Sequence, residues 1–277
     1  MQPSILICGA GGMLGSELLR QYGEHAVGLC HTDLDITNSD AVNRVIHKLQ
    51  PKCIINAAAY TAVDDAETQT ADAYAVNDRA VGHLIAAANA VGARLVHIST
   101  DYVFNGTDVL GYAESSEPQP CNVYGHSKLA GENRIRAGAH DWYIIRTSWL
   151  FGRGGKNFVD TIRQLAFTKK ELRVVDDQHG KPTFVVDLAA AIRHLIMHEY
   201  PSDVYHITNA ALPEGITWYQ FAQTIVDYLQ LPCSVLPCTS EEFPRPARRP
   251  QYAVLRNTKL PELRPWQEAL MTYLQSS

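Results

Sequence analysis

Short apolar runs alternate with helix-like segments through the first half of this chain, and no other feature constrains its fold so tightly. Apolar, β-rich runs occur at 4–8 (SILIC), 26–30 (AVGLC), 53–56 (CIIN), 94–99 (RLVHIS) and 142–147 (WYIIRT). Helical periods fill the intervals. In SDAVNRVIHKLQP, Val42, Val45, Ile46 and Leu49 recur at i, i+3, i+4 and i+7, and Pro51 ends the pattern. ADAYAVNDRAVGHLIAAANAVG reads as one long, alanine-rich helix. Strands alternating with helices of this length imply right-handed crossovers and a mostly parallel sheet. The continuously apolar strands fit a sheet covered on both faces.

After about residue 150 the alternation is less regular. NFVDTIRQLAF and VVDLAAAIRHLIMHEY read as helices, LRVVDDQHGKPTF as a strand and turn, and DVYHITN as a strand. In TWYQFAQTIVDYLQ, Thr217 and Gln220 can form a capping box ahead of a stripe of Trp218, Phe221, Ile225 and Tyr228. Those aromatics read as core rather than as a ligand cage. A proline- and arginine-rich stretch, LPCTSEEFPRPARRPQYAVLRNTKL, reads as loop or short strand before a last helix near 266–275.

At 277 residues the chain can bury a large core, and 46% hydrophobic with 19% charged residues is ordinary globular composition. A net charge of −5 and a pI near 6.1 give no reason to expect nucleic acid as a partner. The six cysteines form no CxxC pair, and His-rich ligand spacing is absent, so no zinc or iron–sulfur site is expected. Cys8, Cys30 and Cys53 sit in apolar runs and read as small buried hydrophobes in a reducing compartment. No signal peptide or membrane span is read from the sequence, and cytoplasm is the expected location.

ILICGAGGMLG places Gly9, Gly12 and Gly15 directly after a strand and at the opening of a helix. Glycines there allow a tight turn and close approach of a diphosphate, whose charge then meets free helix N–H groups; Met13 and Leu14 belong to the same turn. This predicts a dinucleotide site. The second strand ends in Cys30, His31 and Thr32, with Asp33 only later. A lone acid at that tip would grip the adenosine ribose of NAD. Its displacement leaves NADH and NADPH both open, with a lean to NADPH.

Farther on, Tyr124 and Lys128 in CNVYGHSKLAGE are four residues apart, which stacks them on one helix face. Alone, the pair is equally a surface tyrosine beside a solvated lysine. In the company of GAGGMLG, DLDITN, NAAAYTAVDDAE, STDYVFNG, YGHSKLAGE, IRTSWLFG and VVDDQHGKPT, in that order, the chain resembles the extended short-chain dehydrogenase/reductase family over nearly its whole length. The resemblance implies a Rossmann-type doubly wound α/β fold. Residues 1–150 would bind NAD(P), with later segments returning to that domain, and 151–277 would form mainly a smaller substrate-binding lobe.

Within the family, the likeness is to the branch that passes hydride from NAD(P)H to the C4 ketone of dTDP-4-dehydro-6-deoxy-L-mannose, giving dTDP-L-rhamnose. The resemblance implies Thr100, Tyr124 and Lys128 as the catalytic set. It places Asn56, Ala57, Ala58 and Ala59 along the pyrophosphate and ribose, with Ser99 and His31 also near the cofactor. Asp35 and Ile36 would flank the adenine, and Asn77 would support the central helix. Val63, Asp101, Tyr102 and Trp149 would line the sugar pocket. On this reading Tyr124 donates a proton to the ketone oxygen, Lys128 eases that transfer by its positive field and holds the nicotinamide ribose, and Thr100 orients the ketone.

Related 4,6-dehydratases carry Asp-Glu after the threonine, whereas this chain has Asp101-Tyr102. Epimerases share the same catalytic set, and Tyr102 with Trp149 favours a reductase. The regulatory β subunit of methionine adenosyltransferase resembles the same family as an NADP-binding partner protein; intact Thr100, Tyr124 and Lys128 favour an enzyme. The stretch near 246–256 departs from the family's RPxxS pattern, with Ala253 in place of the serine. Among the arginines there, Arg249 is the candidate for the substrate diphosphate. Some members pair into dimers around Mg²⁺; Glu17 could contribute, although a surface glutamate is the simpler reading, so monomer and homodimer both stay open.

Overall fold

The computed structural model describes residues 4–276; the first three residues of the N-terminal segment read above lie outside it. The chain begins with β1 (Ile5–Cys8), α1 (Met13–Tyr22), β2 (Ala26–Leu29), α2 (Ser39–Leu49) and β3 (Cys53–Asn56). Two helical segments follow, α3 (Thr70–Tyr74) and α4 (Ala80–Val91), then β4 (Arg94–Thr100), α5 (Val123–Gly138) and β5 (Trp142–Thr147). The alternation read from the sequence is therefore the alternation in space.

β6 (Leu150–Phe151), α6 (Phe158–Thr168), β7 (Glu171–Val175), β8 (His179–Gly180) and β9 (Thr183–Phe184) come next. After α7 (Val185–Met197) and β10 (Asp203–His206), the chain ends with β11 (Ile216–Thr217), α8 (Trp218–Tyr228), β12 (Ser234–Cys238) and α9 (Trp266–Gln275).

The main sheet has the order β10-β5-β4-β3-β1-β2, parallel throughout. From β1 the chain moves outward to β2 and returns on the other side as β3. The strand order thus reverses at β1, and the crevice beyond the strand ends at such a point is where ligands bind in open α/β sheets. β1 and β3 are buried along their whole length because helices cover both faces. β2 is an edge strand and only half-buried, which corrects the expectation for Cys30: Cys8 and Cys53 are buried, but the Cys30 thiol is partly exposed.

The predicted long helix is not uniform. Residues Ala75–Arg79, between α3 and α4, form a π turn. The extra residue turns Asn77 inward, where its amide accepts from Tyr60 N–H at 2.9 Å and donates to the Tyr60 carbonyl and to Ser127 Oγ, both at 3.0 Å. Three hydrogen bonds to a buried amide outweigh the poorer geometry of one wide turn.

A second core forms around α6, α8 and α9, holding Phe151, Phe221, Ile225, Trp266 and Tyr273. β7 and β12 pair in parallel beside it, so part of the proline-rich stretch read as loop or short strand is strand; Pro237 is tolerated because the sheet has two strands and both are edges. The capping box at Thr217 and Gln220 forms as the sequence indicates. Between the second-core elements, α7 packs on α1, and β10 returns to the main sheet beside β5.

Candidate active site

The turn after β1 is shaped by the absence of side chains. Gly9 has φ of +80°, and a Cβ there would lie 2.6 Å from Ala58 N; a Cβ on Gly15 would lie 2.2 Å from Gly9 O. The first turn of α1 leaves N–H groups without intrahelical acceptors, and Gly12 brings no side chain to cap them. Those groups open into a cleft of about 680 Å³ lined by Gly12, Met13, Leu14, Gly15, Ala57 and Ala59 at one end. A glycine cradle that any Cβ would fill, facing free N–H groups, fits the diphosphate of a dinucleotide.

Beyond the turn, the same cleft is lined by Ser99, Thr100, Asp101, Tyr102, Tyr124 and Lys128, then by Val63, Trp149 and Trp218. Thr100 is the last residue of β4, and Tyr124 and Lys128 project from the first turns of α5. Asn122 caps that helix, accepting from Gly125 N–H at 2.8 Å. Gly125 is required for closeness, since a Cβ would fall 2.2 Å from the Tyr102 carbonyl oxygen. The Tyr102 and Tyr124 rings then meet edge to face at 5.6 Å.

Burial pushes the Tyr124 phenol up to about 12, against the lowering effect of its hydrogen bond with Thr100. Lys128, one helical turn from Tyr124, makes its hydrogen bonds to β4. Its Nζ lies 2.7 Å from the Ile98 carbonyl and 3.1 Å from His97 Nε2, and burial lowers its own pKa to about 8. Thr100 Oγ1 donates to Asp101 Oδ1 at 2.8 Å. Burial raises Asp101 to about 7 despite that bond. Two buried atoms beside the cleft, Asp101 Oδ2 and Thr147 Oγ1, have no hydrogen-bond partner among the described residues. Below Lys128, the buried Glu132 accepts from Ser99 Oγ, Arg146 and Arg136. Burial alone would raise it, but Arg146 and these bonds leave it below the usual carboxylate range.

The far wall is aromatic. Trp149 adopts φ of +48° and stacks on Trp218 with centroids 3.5 Å apart. Trp218 does both jobs: it packs against the second core with Phe158 and Phe221, as helical period indicates, and it also lines the cleft. Gly180 makes room, since a Cβ there would lie 2.5 Å from the Trp149 ring.

Several expected contacts lie off the cleft wall. Asn56 and Asn77 are buried braces. The Asp35 carboxylate accepts from Thr37, the Ile36 carbonyl meets His83, and exposed His31 lies past the tip of β2. Arg249 pairs with Asp64 at 3.0 Å, its guanidinium 5.9 Å from the centre of the Tyr102 ring. Glu17 bonds Arg20 and Gln21, and no group of three residues able to hold a metal ion occurs among the described residues. Likewise, no described helix is long and apolar enough to cross a membrane.

Sequence reasoning missed Gly154, Gly155 and Lys156, which line the cleft beside Met13. The glycine pair followed by lysine was the available signal. It also missed His97, which lies inside a strand with nothing in its spacing to mark it.

Known proteins are similar to this chain over nearly its whole length. The spore coat polysaccharide biosynthesis protein SpsK of Bacillus subtilis is 41% identical, with 98% of this chain and 96% of that protein aligned. A dTDP-4-dehydrorhamnose reductase of Streptomyces griseus is 41% identical over 97% of this chain and 92% of its own. The crystal structure of dTDP-4-dehydrorhamnose reductase from Bacillus anthracis in complex with NADP superposes with a TM-score of 0.95 at 36% identity, covering 100% of both chains. The family model described as the RmlD substrate binding domain matches residues 2–277, and the chain belongs to that family.

Proposed function

We propose that this chain is a dTDP-4-dehydrorhamnose reductase, an NAD(P)H-dependent oxidoreductase that reduces the C4 ketone of dTDP-4-dehydro-6-deoxy-L-mannose to give dTDP-L-rhamnose. The observation that carries the reading is the buried Tyr124 hydroxyl beside Thr100, in a cleft with a glycine cradle at one end and paired tryptophans at the other.

The cofactor supplies the hydride. Gly9, Gly12 and Gly15 admit its diphosphate to the N-terminus of α1, and the backbone of Asn56 to Ala59 lies alongside. Cys30, His31 and Thr32 hold the tip of β2, and the Asp33 carboxylate is turned back onto Cys30 N–H at 2.8 Å rather than standing at the strand end as the acid that grips the ribose of NAD, so NADPH is the favoured donor.

Tyr124 is the acid. With a pKa near 12 it keeps its proton at neutral pH, and it releases that proton as negative charge develops on the ketone oxygen. Thr100, turning its hydroxyl from Asp101, donates to the same oxygen. Lys128 holds the ribose and, as an ammonium, stabilises the phenolate left behind. Trp149, Trp218 and Tyr102 exclude water and position the sugar, and Arg249 reaches the substrate diphosphate. The nucleotide-linked substrate and the six free thiols suit a cytoplasmic enzyme.

Incubation with dTDP-4-dehydro-6-deoxy-L-mannose and NADPH or NADH tests this reading. Loss of nicotinamide absorbance should accompany formation of dTDP-L-rhamnose. No turnover with either cofactor would overturn it, and turnover of a different 4-keto nucleotide sugar alone would reassign the substrate within the same chemistry.

A further inference from the structure

Asn56 and His97 are register partners on adjacent strands β3 and β4. Asn56 Oδ1 accepts from Ala58 N–H at 3.2 Å, and a backbone N–H can only donate, so the amide orientation is fixed. That leaves Asn56 Nδ2, a donor, 3.0 Å from His97 Nδ1. His97 is fully buried and stays neutral, since burial and nearby Lys128 hold its pKa well below the ordinary value. A neutral imidazole carries one proton. With Nδ1 accepting, that proton is on Nε2, and Nε2 faces Lys128 Nζ at 3.1 Å. An ammonium has no lone pair to receive it; an amine has one.

We propose that His97 is a positioning residue that latches Lys128 through Nε2–H, so that Lys128 rests on His97 only as the uncharged amine and is freed toward the cofactor when it takes up a proton from solvent. The proposal rests on the reading of Lys128 as the cofactor-binding ammonium.

The alternative is for the ammonium to keep its place while His97 moves its proton to Nδ1. Asn56 must then rotate and withdraw its oxygen from Ala58 N–H, in the stretch that lies along the diphosphate. Either route links the charge on Lys128 to the cofactor site. Burial places the Lys128 pKa at about 8, so release is largely complete at neutral pH and fails as pH rises. Other groups around Lys128 do not titrate there. Glu132, one turn along α5, is held ionised by Arg146 of β5; Tyr124 keeps its proton to about 12; Asp101 titrates about a pH unit lower. The Cys30 thiol, 3.1 Å from where a Gly11 Cβ would stand, flanks the glycine turn and is replaced in the test.

The test uses the full chain as Cys30→Ser, with ¹⁵N-labelled histidine and the His97 signals identified by their loss in His97→Gln. Nitrogen NMR without cofactor should show Nε2 protonated and Nδ1 bare across neutral and alkaline pH. NADPH affinity, measured by fluorescence titration, should be flat at neutral pH and weaken up to ~tenfold per pH unit above about 8. Asn56→Asp has the same shape but accepts at both oxygens. It should move the His97 proton to Nδ1, let Nε2 grip the ammonium, and abolish the step. A proton on Nδ1 in the parent protein overturns the latch, as does a step absent from the parent or surviving in Asn56→Asp. If NADPH does not bind at all, the functional reading fails, and the tautomer, read without cofactor, still decides the latch.

Discussion

The two walls of the cleft are built on opposite principles. The cofactor wall is made of strand ends and glycines, and its shape is set by where side chains cannot be: a Cβ on Gly9 or Gly15 would stand within 2.6 Å of backbone atoms. The substrate wall is made of large rings from distant segments, with Trp149 after β5 stacked on Trp218 of α8. A backbone wall binds what every dinucleotide shares. A wall of rings on loops and on a separate core can change without disturbing the sheet, and that is where substrate selectivity belongs.

Tyr124 stands between the walls, so its removal should break catalysis while leaving both intact. Tyr124→Phe is expected to lower kcat ~1,000-fold or more while NADPH affinity stays within about twofold. Turnover measured beside a cofactor titration checks this, and an unchanged kcat would remove Tyr124 from the acid role. Gly15→Ala attacks the cofactor wall alone. In an ordinary helix the change would stabilise by about 1 kcal/mol. Here the clash with Gly9 O should reverse the sign, costing about 1–3 kcal/mol and weakening NADPH binding at least tenfold, as thermal melts and titration would show.

Trp218→Ala attacks the other wall. It should raise KM for the sugar nucleotide by ~tenfold and leave NADPH affinity unchanged, and a shift in cofactor affinity would mean that the walls are not independent. A further effect concerns pH. Asp101 is raised by burial to about 7, so the folded protein keeps a proton that the unfolded chain releases near the ordinary carboxylate value. Its contribution to stability is full below the unfolded pKa and declines by about 1.4 kcal/mol per pH unit until pH passes the folded value. Asp101→Asn should remove that slope between about pH 5 and 7, and parallel melting curves for the two proteins would contradict it.

The same contrast explains what the sequence disclosed. The turn at Gly9–Gly15 was legible because glycine spacing reports a local backbone demand. Tyr124 and Lys128 were legible as a pair because four residues make one helical turn. Trp218 was legible as core but not as cleft wall, because period describes which side of a helix a residue leaves from, and a ring on the core side can still emerge at the edge. His97 was invisible for a deeper reason: its role depends on strand register beside Asn56 and on Lys128 arriving from another element. The roles of Asp101 and Val63 came from family likeness rather than from spacing.

The wide turn at Ala75–Arg79 bears on how such a chain can change. The turn holds one residue more than an ordinary helical turn, and deleting that residue would restore a regular helix. Such a shortened chain would also swing the apolar face of Ala80, Val81 and Leu84 by about 100° relative to the preceding turn and withdraw Asn77 from Tyr60 and Ser127. Segment length therefore binds here as tightly as residue identity, since one deletion would undo contacts that no substitution in the turn touches.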